Sequence, residues 1–125
     1  MTKIETILVV DDEKNTCSGL KTLLGREGYC VECVHNGQEG LKYLEKNPAQ
    51  LIISDIRMPE MDGISFIHCL KERHPDVQVI VMTAFGGLDS YIEAMRNGAV
   101  EYIIKPFKMN DLKRIIERLE AESAA

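Results

Sequence analysis

A chain of 125 residues with 45% hydrophobic and 28% charged side chains has the make-up of one compact domain that buries its own core. Its formal charge of −5 argues against nucleic-acid binding by this domain, because phosphate backbones attract basic surfaces. No apolar run approaches the roughly 20 residues needed to span a bilayer, and Met1-Thr2-Lys3-Ile4-Glu5 lacks a signal-peptide pattern. A cytoplasmic domain with no membrane contact is expected.

The predicted elements alternate in type along the chain. Thr6–Val10 is a continuous apolar run, the pattern of a strand covered on both faces of a parallel sheet, and it runs into Asp11-Asp12-Glu13. After Lys14, Cys17, Leu20, Leu23 and Leu24 recur at helical spacing until Gly28, a residue suited to a left-handed cap. Cys30–Val34 is a second strand, interrupted by Glu32 and therefore suited to a sheet edge. Asn36 with Glu39 three residues on resembles a capping box, and Leu41 and Leu44 continue that helix. Leu51–Ser54 is a third strand, followed at once by Asp55. Asp62-Gly63 opens a helix carrying Ile64, Ile67 and Leu70, stopped at His74-Pro75. A fourth strand over residues 79–82 leads to Thr83-Ala84. Ile92 and Met95 mark a helix closed by Asn97-Gly98. A short strand over 102–104 runs into Lys105-Pro106, and Leu112, Ile115, Ile116 and Leu119 mark the last helix. Its Lys113, Arg114, Glu117 and Arg118 read as a solvated face.

Five β-then-α units imply an α/β domain with right-handed crossovers and helices on both faces of a five-stranded parallel sheet. The expected arrangement is doubly wound in the flavodoxin-like order 2-1-3-4-5, with five helices and a ligand site beyond the carboxyl ends of strands one and three. Residues 1–125 form one domain in this reading. The four cysteines include a Cys30-Val31-Glu32-Cys33 spacing, but residues three apart on a strand face opposite ways. No second such pair follows, so buried or half-buried thiols in a reducing compartment are expected.

The strand ends carry the chemistry. Asp11, Asp12, Asp55, Thr83 and Lys105 all fall at the carboxyl edge of that sheet. Taken singly, each is an ordinary turn or loop residue; together they make a site. Clustered carboxylates suit Mg²⁺, a hard cation that takes oxygen ligands. An aspartate becomes a competent nucleophile toward phosphorus when the incoming charge is neutralised. A lysine supplies part of that neutralisation, and a threonine hydroxyl can donate to a phosphoryl oxygen.

These residues resemble the receiver domains of two-component response regulators. The likeness runs through Val9-Val10-Asp11-Asp12-Glu13, Ser54-Asp55-Ile56-Arg57-Met58-Pro59, Met61-Asp62-Gly63, Val81-Met82-Thr83-Ala84, Gly98-Ala99 and Lys105-Pro106-Phe107. It implies that Asp55 is the phosphoacceptor, charged by the phosphohistidine of a sensor histidine kinase or phosphotransfer protein. Asp12 and Asp55 would bind Mg²⁺ directly, the backbone carbonyl of Arg57 would be a further ligand, and Asp11 would act through coordinated water. Lys105 would pair with the phosphoryl group, with a cis bond to Pro106. Thr83 and Tyr102 would form the switch, with the Phe85-Gly86-Gly87 loop between them and the fourth helix.

Within receivers, Ser54 to Gly63, Arg73-His74-Pro75 and Met82-Thr83-Ala84 are most similar to the nitrogen-regulation class of enhancer-binding activators. That likeness implies an N-terminal regulatory domain of a longer transcriptional regulator, ending with Glu122-Ser123-Ala124-Ala125 after the fifth helix. A stand-alone receiver of a phosphorelay or chemotaxis-type pathway is the alternative. The implied output face is the fourth helix, fifth strand and fifth helix, with Ile92, Met95, Tyr102 and Lys108, and homodimerisation through it is expected. A flavin-binding domain would need a phosphate cradle where Asp11-Asp12-Glu13-Lys14 stands. An aspartate phosphatase would favour an Asp at position 13. A receiver degraded to a docking surface would not be expected to retain Asp12, Asp55, Thr83 and Lys105.

Overall fold

The computed structural model describes residues 3–57, 62–84 and 86–124. Met58, Pro59 and Met61 of the receiver-like motif, and Phe85 of the glycine loop, lie outside the described residues. The elements run β1 (Thr6–Val10), α1 (Lys14–Arg26), β2 (Cys30–Val34), α2 (Gly37–Lys46), β3 (Leu51–Ser54), α3 (Gly63–Arg73), β4 (Gln78–Thr83), α4 (Leu88–Arg96), β5 (Glu101–Ile104) and α5 (Met109–Ala124). The strands are all parallel, in the order β2-β1-β3-β4-β5. That is the expected doubly wound sheet, with β2 at an edge as the interruption by Glu32 suggested.

Strand alternation splits the core in two. Ile7 and Val9, Leu51 and Ile53, Ile80 and Met82 pack with Cys17, Leu20 and Leu24 of α1 and with Leu112, Ile116 and Leu119 of α5. Leu8 and Val10, Ile52, Val79 and Val81 face the other way, toward Leu41 and Leu44 of α2, Phe66, Ile67 and Leu70 of α3, and Ala94 of α4. Both faces of β1, β3 and β4 are thus apolar, which is why these strands read as unbroken hydrophobic runs.

The helix ends follow local chemistry. Gly28 has φ 100° after α1 and Gly98 φ 113° after α4, the left-handed region where only glycine is unstrained. Asn36 accepts from the Glu39 backbone N–H at 2.8 Å. The return bond differs from the expected capping box: Glu39 accepts from His35 N–H at 2.8 Å, one residue further out. Asp62 caps α3 by accepting from the Ile64 and Ser65 N–H groups, which holds its carboxyl below the usual range, as does the Ser65 hydroxyl.

Two sequence expectations need correction. Leu23 is exposed, not part of the core stripe of α1; it borders a cleft of about 360 Å³ with Asn15, Leu20, Pro106 and Phe107. Cys30 is exposed, whereas Cys17 is buried and Cys33 and Cys69 are partly covered. Cys30 opens an edge strand and points away from α1, while Cys33 packs against the core beneath it. All four cysteines are free thiols.

Candidate functional site

The sheet delivers two carboxylates to one point. The Asp11 N–H continues the β1–β2 ladder by donating to Val34 O at 3.1 Å, and the Asp55 N–H continues the β3–β1 ladder by donating to Val10 O at 3.0 Å. Each aspartate therefore sits one residue beyond its strand, with a fixed backbone and its side chain at the carboxyl edge. Both are buried, as is Thr83 at the end of β4. The Lys105 N–H donates to Thr83 O at 2.8 Å, so the lysine is registered to β4 in the same way. The Lys105-Pro106 bond is cis, as the family resemblance implied.

The Lys105 ammonium donates to Asp11 Oδ2 at 2.7 Å, Asp55 Oδ2 at 3.2 Å and Glu13 Oε1 at 3.3 Å. Oxygens of Asp11, Glu13 and Asp55 lie within 4.8 Å of one another, a set able to hold a metal ion. Three carboxylates around one ammonium leave an excess of negative charge, which a divalent cation would relieve. Hard oxygen donors fit Mg²⁺ chemistry, so the residues present suit that ion.

Burial pushes the Asp11 carboxyl above its ordinary value, opposed by hydrogen bonds from Lys105 and the Glu13 N–H and reinforced by the neighbouring Asp55 charge. Burial alone would pull Lys105 down, but its bonds to Asp11 and Asp55 outweigh it and hold the ammonium above the usual lysine range. Lysine 105 is therefore a permanent cation at neutral pH. The Arg57 N–H donates to Asp55 Oδ1 at 2.9 Å, fixing the carboxylate plane while Oδ2 faces Lys105.

The backbone after Asp55 is pinned by a close approach. The Gly63 N–H donates to Ile56 O at 2.9 Å, and a Cβ at position 63 would stand 2.4 Å from Ile56 Cα and 3.0 Å from Asp55 O. Only glycine admits that contact. Asp62-Gly63 signals a helix start in the sequence, and nothing in that dipeptide shows that Gly63 also supports the Asp55 loop.

Of the expected residues, Asp11, Asp55 and Lys105 meet directly. The exposed Asp12 side chain is not a member of the three-carboxylate group; Glu13 stands in it instead. A run of three acids at a strand end signals such a cluster but does not say which members turn inward. Thr83 and Tyr102 occupy adjacent strands, in register Val81↔Tyr102 and Thr83↔Ile104. Thr83 shares the parity of Val79 and Val81, on the α4 side, and Tyr102 packs on that same face. Its hydroxyl lies 3.0 Å from Ser90 Oγ of α4, and its ring meets Tyr91 edge to face at 5.5 Å. Ser90 and Tyr91 were not anticipated, because nothing in a helical pattern reports which polar residue reaches a strand.

The response regulator receiver domain family matches residues 7–117, and the chain belongs to that family. It is 38% identical to the regulatory protein AtoC of Escherichia coli K12, over 94% of this chain and 26% of AtoC. It is 37% identical to the DNA-binding transcriptional regulator NtrC of Proteus hauseri, over 90% of this chain and 24% of NtrC. The solution structure of the beryllofluoride-activated NtrC4 receiver domain dimer superposes with a TM-score of 0.88, at 35% identity over 94% of this chain and 97% of that one. The likeness to the nitrogen-regulation class is thereby borne out. The chain spans about a quarter of the length of the curated relatives it matches.

Proposed function

We propose that the chain is a phosphorylation-dependent switch that receives a phosphoryl group on Asp55 and regulates transcription as the N-terminal part of a longer, cytoplasmic regulator. The observation that carries the reading is a buried Asp55 sharing the Lys105 ammonium with Asp11. In the transfer step an Asp55 oxygen bonds to phosphorus while the P–N bond of a phosphohistidine breaks. The imidazole of the sensor histidine kinase or phosphotransfer protein leaves and takes up a proton.

Lys105 orients and neutralises the arriving phosphoryl oxygens, exchanging carboxylate contacts for them. Asp55 and the Arg57 carbonyl would hold Mg²⁺ together with Asp12, whose exposed side chain would turn toward the Asp11, Glu13 and Asp55 group, with Asp11 acting through water. When bound, the ion would supply neutralising positive charge at the acceptor carboxylate. Glu13, the third acid on Lys105, adds to the negative field that draws the cation in. Slow attack of water on the acyl phosphate returns the domain to its resting form, so the domain acts on itself and turns over no metabolite. Thr83 donates its hydroxyl to the bound phosphoryl group and Tyr102 follows, shifting an existing equilibrium of the α4–β5–α5 face.

That face exposes Leu88, Tyr91, Ile92 and Ile104, an apolar surface suited to homodimerisation on phosphorylation. Among the described residues no helix is long and apolar enough to cross a membrane. The stand-alone phosphorelay or chemotaxis-type role is the less favoured reading, because the chain is 38% identical to the regulatory protein AtoC and 37% identical to the transcriptional regulator NtrC.

The test is intact-protein mass after incubation with acetyl phosphate and Mg²⁺. One added phosphoryl group is expected, absent in Asp55→Asn and with EDTA. A wild-type protein that gains no mass from acetyl phosphate or from a partner kinase would sink the reading.

A further inference from the structure

We propose that Ser90 is a positioning residue of the switch: its hydroxyl latches Tyr102 to α4 and so sets how readily the output face rearranges. This rests on the phosphorylation reading above for its consequence, but the latch itself is read directly from the contacts of Ser90 and Tyr91 with Tyr102. Ser90 Oγ and Tyr102 OH stand 3.0 Å apart in partly buried surroundings. Next to it, the Tyr91 ring meets the Tyr102 ring at 5.5 Å with an interplanar angle of 80°. Two consecutive residues of α4 thus grip the same side chain of β5 by its polar end and its ring.

The grip matters because α4 has little else. Ala94 is the one buried residue of α4 among those described, whereas α3 buries Gly63, Phe66, Ile67 and Leu70. Ser90 is also spared the usual task of a serine near a helix start. Gly87 caps α4 without any side-chain bond, so no capping box competes for the hydroxyl. The loop before α4 lies on the same spot: a Cβ on Gly86 would come within 2.5 Å of Ile104 Cδ1 and 3.4 Å of Tyr102 OH. Tyr102 is therefore enclosed by the Gly86 backbone, Ser90 and Tyr91. It pairs with Val81, two residues before Thr83, and stands three residues before Lys105. In the proposed switch, a shift of Thr83 or Lys105 would be passed to α4 through the ring that Ser90 holds.

The arrangement in which the latch is closed is one in which Lys105 is engaged by Asp11 and Asp55. The proposal couples the two: opening the latch would favour release of the lysine to a phosphoryl group, and by reciprocity that release would favour opening the latch.

The experiment uses protein labelled with 3-fluorotyrosine, whose four tyrosines give separate fluorine resonances. Ser90→Ala is expected to move or broaden the Tyr102 signal while leaving those of Tyr29 and Tyr43 in place. Ser90→Thr, which keeps the hydroxyl, should restore it. With Mg²⁺ and beryllofluoride as phosphoryl mimic, Ser90→Ala should bind roughly two- to tenfold more tightly than wild type, the span of one neutral hydrogen bond, and Ser90→Thr should not. A Tyr102 signal indifferent to Ser90→Ala would overturn the latch. So would an affinity unchanged or weakened by that substitution. A wild type that binds no beryllofluoride would instead count against the phosphoacceptor reading, and the ring signal would still decide the latch.

Discussion

The centre of the sheet and its α4–β5 edge are built on opposite terms. In β1, β3 and β4, Ile7, Ile53 and Met82 are each 0% exposed, and the site residues hang from these strands by continued ladder bonds. At the edge, Leu88 is 73% exposed, Ile104 52% and Tyr91 44%, and β5 has no fully covered residue. On the proposed function, the difference separates a fixed site from an adaptable output face. Phosphoryl chemistry needs fixed charges within hydrogen-bond reach, while a signal needs an element whose packing leaves two arrangements close in energy.

Paired truncations break the comparison most directly. Ile53→Ala should lower stability by about 2–5 kcal/mol, as for deletion of a fully buried aliphatic group. Ile92→Ala on α4 should change it by no more than about 0.5 kcal/mol. Urea unfolding of the two variants checks both numbers, and comparable losses would dissolve the distinction between centre and edge.

Gly63→Ala should cost about 1–3 kcal/mol, typical of an intrusion that neighbours cannot absorb, because the added Cβ meets the backbone of Ile56 at 2.4 Å. It should also slow the proposed phosphorylation of Asp55, since the same loop follows that residue. A variant of full stability with normal phosphorylation would show that the loop is not held by α3.

A smaller effect concerns the acids themselves. Burial raises the Asp11 carboxyl above 3.8 in the folded protein. The folded state therefore binds its proton more tightly, and that contribution is present below pH ~3.8 and lost as pH rises through the folded value. Asp11→Asn keeps the Oδ1 acceptor for the Glu13 N–H, bonded at 2.8 Å, but removes the charge. Its Tm relative to wild type should accordingly be higher at pH 7 than at pH 4. The opposite trend would mean that Lys105 more than compensates for burial.

The least perturbing probe is thiol alkylation, which should leave stability almost untouched at its first step. Cys30, exposed on edge strand β2, should react first. Cys17 should react last: it is buried, and burial together with Cys33 pushes its thiol up to about 12, leaving almost no thiolate at neutral pH. Mass spectrometry over a time course orders the four cysteines. Early modification of Cys17 would show that α1 opens more readily than the centre of the sheet.

Much of this architecture is legible in the sequence. The apolar runs at Thr6–Val10 and Leu51–Ser54 coincide with β1 and β3, because strands covered on both faces admit almost nothing polar. Gly28, Asn97-Gly98 and Asp62 marked helix ends through conformations and bonds that depend only on nearby residues. The acids and lysine at the strand ends were legible as a group, since topology alone gathers strand ends. Less visible was anything resting on a long-range meeting of side chains. Leu23 looked like core by spacing but lies on a cleft with Pro106 and Phe107, and the exposure of Cys30 depends on which way an edge strand turns.

The sequence by itself determined the order and type of the elements, the parallel sheet and the gathering of Asp11, Asp55, Thr83 and Lys105 at one edge. Those follow from hydrophobic period, turn chemistry and the handedness of crossovers, all of which act over short stretches of chain. Only the tertiary structure decided that Glu13 and not Asp12 joins the Lys105 cluster, that Gly63 supports the Asp55 loop from beneath, and that Ser90 reaches Tyr102. Each of these turns on a few ångströms between residues from different elements, and those distances are set by how the layers pack.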